Sequence, residues 1–268
     1  MSDPATLSEA SLHVLRTQEP ADKVTLTESY SAAWQSGEIS DVGNVTLPQR
    51  PARPARPELR LPNDMPRRRK GGAAGRMAFL HAIAHIECNA IDLAWDIVAR
   101  FTHNDLPRAF YDDWVQVAAD EARHFDMLQR RMAQLGGAYG DLPAHDGLWQ
   151  AASDTSDDLM ARLALVPMVL EARGLDTTPG AVEKLRNNGD AESAEILLTI
   201  GEEEVPHVAA GVRWFRFLAE RRGLDPIATF HEYVRQRFKG YIKPPFNYAA
   251  RNTARMDREF YEPLTPSP

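Results

Sequence analysis

The chain has 268 residues, 43% of them hydrophobic, and a formal charge of −7. That length suits one large domain or a domain with an extension, and the apolar content permits a sizeable core. No uncharged apolar run approaches the roughly 18 residues that a membrane span needs, and the acid-bearing start "MSDPATLSEASLHVLRTQEP" lacks the apolar block of a signal peptide. Membrane partners and export are therefore not expected, and the cytoplasm is. The single Cys88 cannot form an internal disulfide, which agrees with a reducing compartment, and it reads as core filling.

Residues 1–47 read as a helical extension, with "TLSEASLHVLRTQ" its clearest amphipathic helix. Residues 48–75 form a Pro/Arg-rich arm. Between Gln49 and Lys70 it carries Arg50, Arg53, Arg56, Arg60, Arg67, Arg68, Arg69 and Lys70 against Glu58 and Asp64. Such a stretch can meet phosphates. No aromatic residues interleave with the bases as in RNA-binding signatures, so an arm lying over an acidic bundle is the favoured reading and RNA the less favoured one.

Four long helical patterns occupy residues 76–223, the predicted bundle. The first runs from about Ala74 to Phe101. The second starts after Asn104 or Asp105, either of which can cap it, and stops at Gly136-Gly137. The third starts near Thr155 or Ser156, with Asp157 and Asp158 favouring its positive end, and reaches Gly174. The fourth opens at Asp190 and closes at Arg221-Arg222-Gly223. About four residues join the first two helices, which predicts antiparallel neighbours. Roughly twenty residues join the second and third, enough for a crossover along the bundle, the connection of ferritin-like folds. "TPGAVEKLRNNGD" adds a short helix or lengthens the third, residues 224–268 form a helical tail packed on the bundle, and the final "PLTPSP" reads as frayed. The expected class is all-α: a ferritin-like four-helix bundle with one long crossover.

Polar residues interrupt the apolar stripes of these helices. In "DEARHFDML", Glu121 and His124 stand one turn apart on a face that otherwise carries Phe110, Trp114, Val117, Phe125 and Leu128. The same Glu-x-x-His spacing recurs at Glu204 and His207, among Leu197, Ile200, Val208, Gly211 and Phe215. Glu203 competes with Glu204 there; Glu204 is preferred because it repeats the spacing of Glu121 and His124. The first helix adds Glu87 among Leu80, Ile83, Ala84, Ile91 and Ala94, with His81, His85, Asp92 and Asp96 on the opposite side; His81 and His85 read as outward polar contacts to the arm rather than ligands. The third adds Glu171 after Met160, Leu163, Ala164 and Met168. The halves match: Glu87 precedes Glu121 by 34 positions and Glu171 precedes Glu204 by 33.

Four ionised glutamates in a core cost several kcal/mol each if uncompensated. Two divalent cations balance them, and with two imidazoles the set is that of a dimetal carboxylate bundle. A lone core His or Glu is more often satisfied by a hydrogen bond; six together in this helix order favour metal. Pro167 and Pro206 lie beside the ligands, where each removes a backbone donor and is expected to bend its helix. Trp95, Trp114, Trp214, Phe215 and Phe217 read as packing.

"HIECNAID", "DEARHF", "VLEARGLDTTPG", "HVAAGVRWF" and "PPFNYAAR" together resemble an uncharacterised bacterial family of ferritin-like proteins, classed only as a domain of unknown function. The resemblance covers roughly residues 50 to 255. It implies a ferritin-like fold and a dinuclear iron centre at Glu87, Glu121, His124, Glu171, Glu204 and His207, and supplies no reaction. In ligands and helix order alone the chain is also similar, distantly, to di-iron tRNA hydroxylases.

The leading expectation is a non-haem di-iron oxidoreductase, an O2-dependent hydroxylase or oxidase of a small organic substrate, served by a separate electron donor. No catalytic residue is assigned beyond the ligands. Mn/Fe and Mn/Mn pairs share overlapping ligand sets, so iron is a preference drawn from the resemblance. The alternatives are iron oxidation and storage, a tRNA hydroxylase using the arm, and a metal-free relic. A homodimer is possible; since a monomer or dimer cannot hold a mineral core, size in solution separates storage from the other readings.

Overall fold

The computed structural model describes residues 4–61, 64–66 and 72–266, nearly all of them helix or the turns between helices. The chain divides into two compact units, Met1–Ser153 and Asp154–Pro268. Each contains one half of the predicted ligand set. Among the described residues no helix is long and apolar enough to cross a membrane.

The first unit begins with α1 (Leu7–Arg16), started by a capping box in which Thr6 and Glu9 satisfy each other's backbone N–H groups. After α2 (Pro20–Ser36) the arm runs to a two-residue strand, β1 (Leu59–Arg60). Then come α3 (Gly72–Arg100) and α4 (Arg108–Gln134), packed side by side, with α1 against α3 and α2 against α4. The expected caps Asn104 and Asp105 do not start α4. Asp105 takes a left-handed φ of 50°, and Pro107 holds the N-cap position without a side-chain hydrogen bond.

The crossover is not bare loop. It contributes β2 (Ala144–His145), which pairs parallel with β1, and α5 (Gly147–Ser153). The arm is thereby tied to the crossover by backbone as well as charge, a small departure from the all-helical expectation. Arg50 pairs with Asp146, Arg53 with Asn89, and Arg60 with Glu58 at 2.8 Å. Arg67, Arg68, Arg69 and Lys70 lie outside the described residues.

One expectation fails on α3. His81 and His85, expected to face outward toward the arm, are buried, as are Asp92 and Asp96 on the same side. His81 accepts the Gly140 N–H at 3.0 Å. His85 meets the Tyr139 hydroxyl at 2.8 Å and the His145 carbonyl at 3.1 Å. Asp92 forms an ion pair with Lys23 of α2, both side chains fully enclosed, and Asp96 chelates Arg100 at 2.9 Å. Cys88 is buried as expected, and burial pushes its thiol up to about 11.

In the second unit the third pattern starts three residues late. Asp158, not Thr155 or Ser156, caps α6 (Leu159–Leu165) by accepting the Met160 N–H. A π-helical turn, Val166–Glu171, follows and leads into α7 (Ala172–Asn187). "TPGAVEKLRNNGD" thus lengthens the third helix, and Pro179 lies inside it. The fourth, α8 (Ala191–Arg221), is capped by Asp190 as expected and continues through Pro206. The tail forms α9 (Pro226–Arg237), α10 (Tyr248–Thr253) and α11 (Arg258–Tyr261). Of the end expected to fray, Ser267 and Pro268 lie outside the described residues.

Candidate metal centre

The long helices α3 and α4 bring Glu87, Glu121 and His124 together. The amphipathic pattern of α4 buries Phe110, Trp114, Val117, Phe125 and Leu128, and Glu121 and His124 share that face, 1% and 0% exposed. Glu87 enters from α3, 4% exposed. His124 Nδ1 lies 3.2 Å from Glu87 Oε2 and 3.7 Å from Glu121 Oε2. One donor atom from each of the three residues lies within 4.8 Å of the others.

Geometry and donor chemistry both fit a metal ion. Oxygen and imidazole donors held at about 2.0–2.2 Å from one ion stand at most about 4.4 Å apart, so the observed span closes with side-chain movements of a few tenths of an ångström. Two carboxylates and a nitrogen suit borderline and hard first-row ions rather than soft ones. Glu87, Glu121 and His124 are therefore a buried cluster able to hold metal.

The electrostatics point the same way. Burial disfavours a charged imidazole, yet hydrogen bonds and charge from Glu121 and Glu87 outweigh it and push His124 up to about 11. One proton offsets one of two carboxylate charges. A divalent ion offsets both, taking the place of that proton.

The second unit repeats the motif. On α8 Glu204 and His207 are buried, with His207 Nδ1 3.7 Å from Glu204 Oε2, the same separation as between His124 and Glu121. Glu202 is exposed and Glu203 half-buried, so burial favours Glu204, as the spacing did. Glu171 is the last residue of the π turn and is half-buried, less enclosed than its place on the apolar stripe implied.

Two prolines flank this half differently. At Pro167 the helix widens into the π turn, a form that recurs at functional sites. At Pro206 α8 simply continues. Gly211, one turn beyond His207, makes the close approach possible: a Cβ there would sit 2.6 Å from the Pro167 ring carbons. Nothing in sequence periodicity marks a π turn, and it was not foreseen.

A family model described as a protein of unknown function, DUF455, matches residues 16–262. The chain belongs to the DUF455 family. An uncharacterised protein of Haemophilus influenzae is 43% identical over 195 residues, 69% of this chain and 68% of that relative. No solved structure matches. The DUF455 match includes all six predicted ligands, α3 to α8 entire, and most of the tail.

Proposed function

We propose that this DUF455 protein is a non-haem dimetal carboxylate oxidoreductase, with iron the preferred metal, acting as an O2-dependent hydroxylase or oxidase of a small organic substrate. The observation that carries this is the buried cluster of Glu87, Glu121 and His124, whose residue types and order recur as Glu171, Glu204 and His207. Each half gives one carboxylate from one helix and a Glu-x-x-His pair from the next, the ligand pattern of dimetal bundles.

When bound, such a metal pair would supply two electrons to O2 and the organic substrate the other two, with an external donor restoring the metals between turnovers. The chain's own contributions are separate. Glu87, Glu121, Glu171 and Glu204 balance the charge of two divalent ions. His124 gives up its proton to bind. Phe110, Trp114 and Phe125, all buried, keep bulk water from the α4 face, which strengthens every charge interaction beside them.

The arm's described bases support packing over RNA binding. Arg50 and Arg53 are engaged with Asp146 and Asn89 of their own unit, so a nucleic acid must first displace those contacts, whereas Arg60 pairs with exposed Glu58 of the arm itself.

The test is metal quantification on protein purified without chelator, followed by oxygen uptake after anaerobic reduction. Two iron or manganese ions per chain and stoichiometric O2 consumption are expected. A reduced, metal-loaded protein inert to O2 overturns the oxidoreductase reading. Uptake of many irons per chain replaces it with storage.

A further inference from the structure

In the second unit the segments "EARGLD" and "PPFNYAAR" are clamped together. Arg173 Nη1 donates to the carbonyl oxygens of Lys243 and Pro245 at 2.8 and 3.1 Å. Arg251 grips Asp176 through two parallel hydrogen bonds, Nε to Oδ1 at 2.9 Å and Nη2 to Oδ2 at 2.7 Å, with both side chains buried. The Asn247 N–H also donates to Asp176 Oδ1, at 2.9 Å. Fork-to-fork pairs of this kind are strong and directional, so the loop between α9 and α10 is fixed against the π turn and the start of α7.

Between them lies a partly open cavity of about 130 Å³. Val169 and Leu170 of the π turn form one wall, and Phe238, Ile242 and Phe246 of the loop form the other. A closed apolar cavity of about 150 Å³ is known to accept benzene, so this space suits one six-membered ring. Its charged lining is three cations, Arg173, Lys243 and Arg251, against the single carboxylate of Asp176. Asp176 serves both arginines, gripping Arg251 and lying 3.6 Å from Arg173 Nη1, so one carboxylate faces three cations and the lining stays positive; Tyr241, 76% exposed, also lines the cavity.

We propose that this cavity binds a small aromatic carboxylate, its ring between Leu170 and Phe246 and its carboxylate held by Arg173 and Lys243. Among the described residues Arg173 donates to the loop carbonyls through Nη1, which assigns Nη2 and Nε to the ligand. Glu171 ends the same π turn whose preceding residues line the cavity. That the bound molecule is the substrate rests on the function proposed above; binding itself does not.

The experiment therefore uses the full-length chain freed of metal by chelator. Benzoate and its neutral analogue benzyl alcohol are titrated by calorimetry and followed by NMR. Benzoate is expected to saturate at one per chain and to bind more tightly than benzyl alcohol. Arg173→Gln should weaken benzoate about ten- to hundredfold, the effect of losing a charge-assisted hydrogen bond, and more than it weakens benzyl alcohol.

Because Arg173 also holds the loop, Lys243→Gln provides a change on an exposed side chain. There the loss should be about two- to fivefold for benzoate alone. Leu170→Trp, which fills the cavity, should abolish binding of both probes with the helical circular dichroism unchanged. Absence of saturable benzoate binding overturns the proposal, and so does equal affinity for the two probes or benzoate affinity unmoved by all three substitutions. Benzoate binding in a chain that never takes up metal sinks the oxidoreductase reading and leaves this site standing.

Discussion

His124 Nδ1 and Glu87 Oε2 meet at 3.2 Å across two helices, 37 positions apart in sequence. Without metal this contact, with Glu121 beside it, is held by one proton. With metal bound as proposed, the same atoms would be ligands. His124→Ala should reduce metal affinity by more than the roughly 10–100-fold typical of outer-shell changes, measured by metal analysis after dialysis against a buffered metal. Retention of full occupancy would show that the cluster is not a metal site.

The proton on His124 gives that binding a pH dependence. Its pKa in the metal-free fold is raised to about 11, so at neutral pH metal must displace the proton. Affinity should rise up to about tenfold per pH unit between pH 6.5 and 9. Calorimetry in buffers of different ionisation enthalpy should detect about one proton released from this imidazole. The corresponding folding contribution is fully present below about pH 6.5, the ordinary imidazole value, and is lost as pH rises through the folded value. Metal-free protein should accordingly lose stability toward alkaline pH, and His124→Gln should remove that slope.

His85 shifts the other way. Burial, then the nearby Arg53 charge, holds it down at about 4, and the neutral ring satisfies both the Tyr139 hydroxyl and the His145 carbonyl. An unfolded chain takes up this proton near pH 6.5 while the folded one does not. The stability difference should fall as pH drops from about 6.5 to 4, by at most on the order of 3 kcal/mol. Urea unfolding at several pH values in that window measures it. His85→Gln should flatten the profile, and an identical slope in the variant would assign it to other groups.

What was legible follows from how locally each feature is encoded. α8 begins where Asp190 announces it, because a cap and its N–H partner are within four residues, and the amphipathic stretch "TLSEASLHVLRTQ" brackets α1. Glu121 with His124 and Glu204 with His207 were legible because a one-turn spacing on an apolar stripe is itself the signal. The start of α4 was not, since Asn104 and Asp105 look like caps while the fixed φ of Pro107 decides the matter. The far side of α3 was misjudged for a different reason. Polarity marks a solvated face only when no distant segment brings partners to it, and Lys23, Tyr139 and His145 all arrive from other elements.

Gly211 and Pro167 provide a test of how the π turn is held. An added methyl would overlap the proline ring at 2.6 Å, and because a proline ring cannot swing aside, the turn or α8 must shift. Gly211→Ala should cost about 1–3 kcal/mol despite the better helix propensity of alanine, read as a lower urea midpoint. Unchanged or increased stability would mean that the two segments separate without cost.

Lys23 and Asp92 are each 2% exposed at the side chain, and burial raises the Asp92 carboxyl even though Lys23 and Arg53 oppose that shift. Such a pair adds little net stability when intact but becomes costly when halved, because the remaining charge is left in a dry site. Asp92→Leu should destabilise by about 3–5 kcal/mol. The double variant Lys23→Met with Asp92→Leu should recover most of that loss, since two apolar side chains then replace two desolvated charges. A double-mutant cycle read by chemical unfolding separates the cases. Additive losses would mean that the two residues act independently, and that α2 is held on α3 by packing around Thr27 and Trp95 rather than by this ion pair.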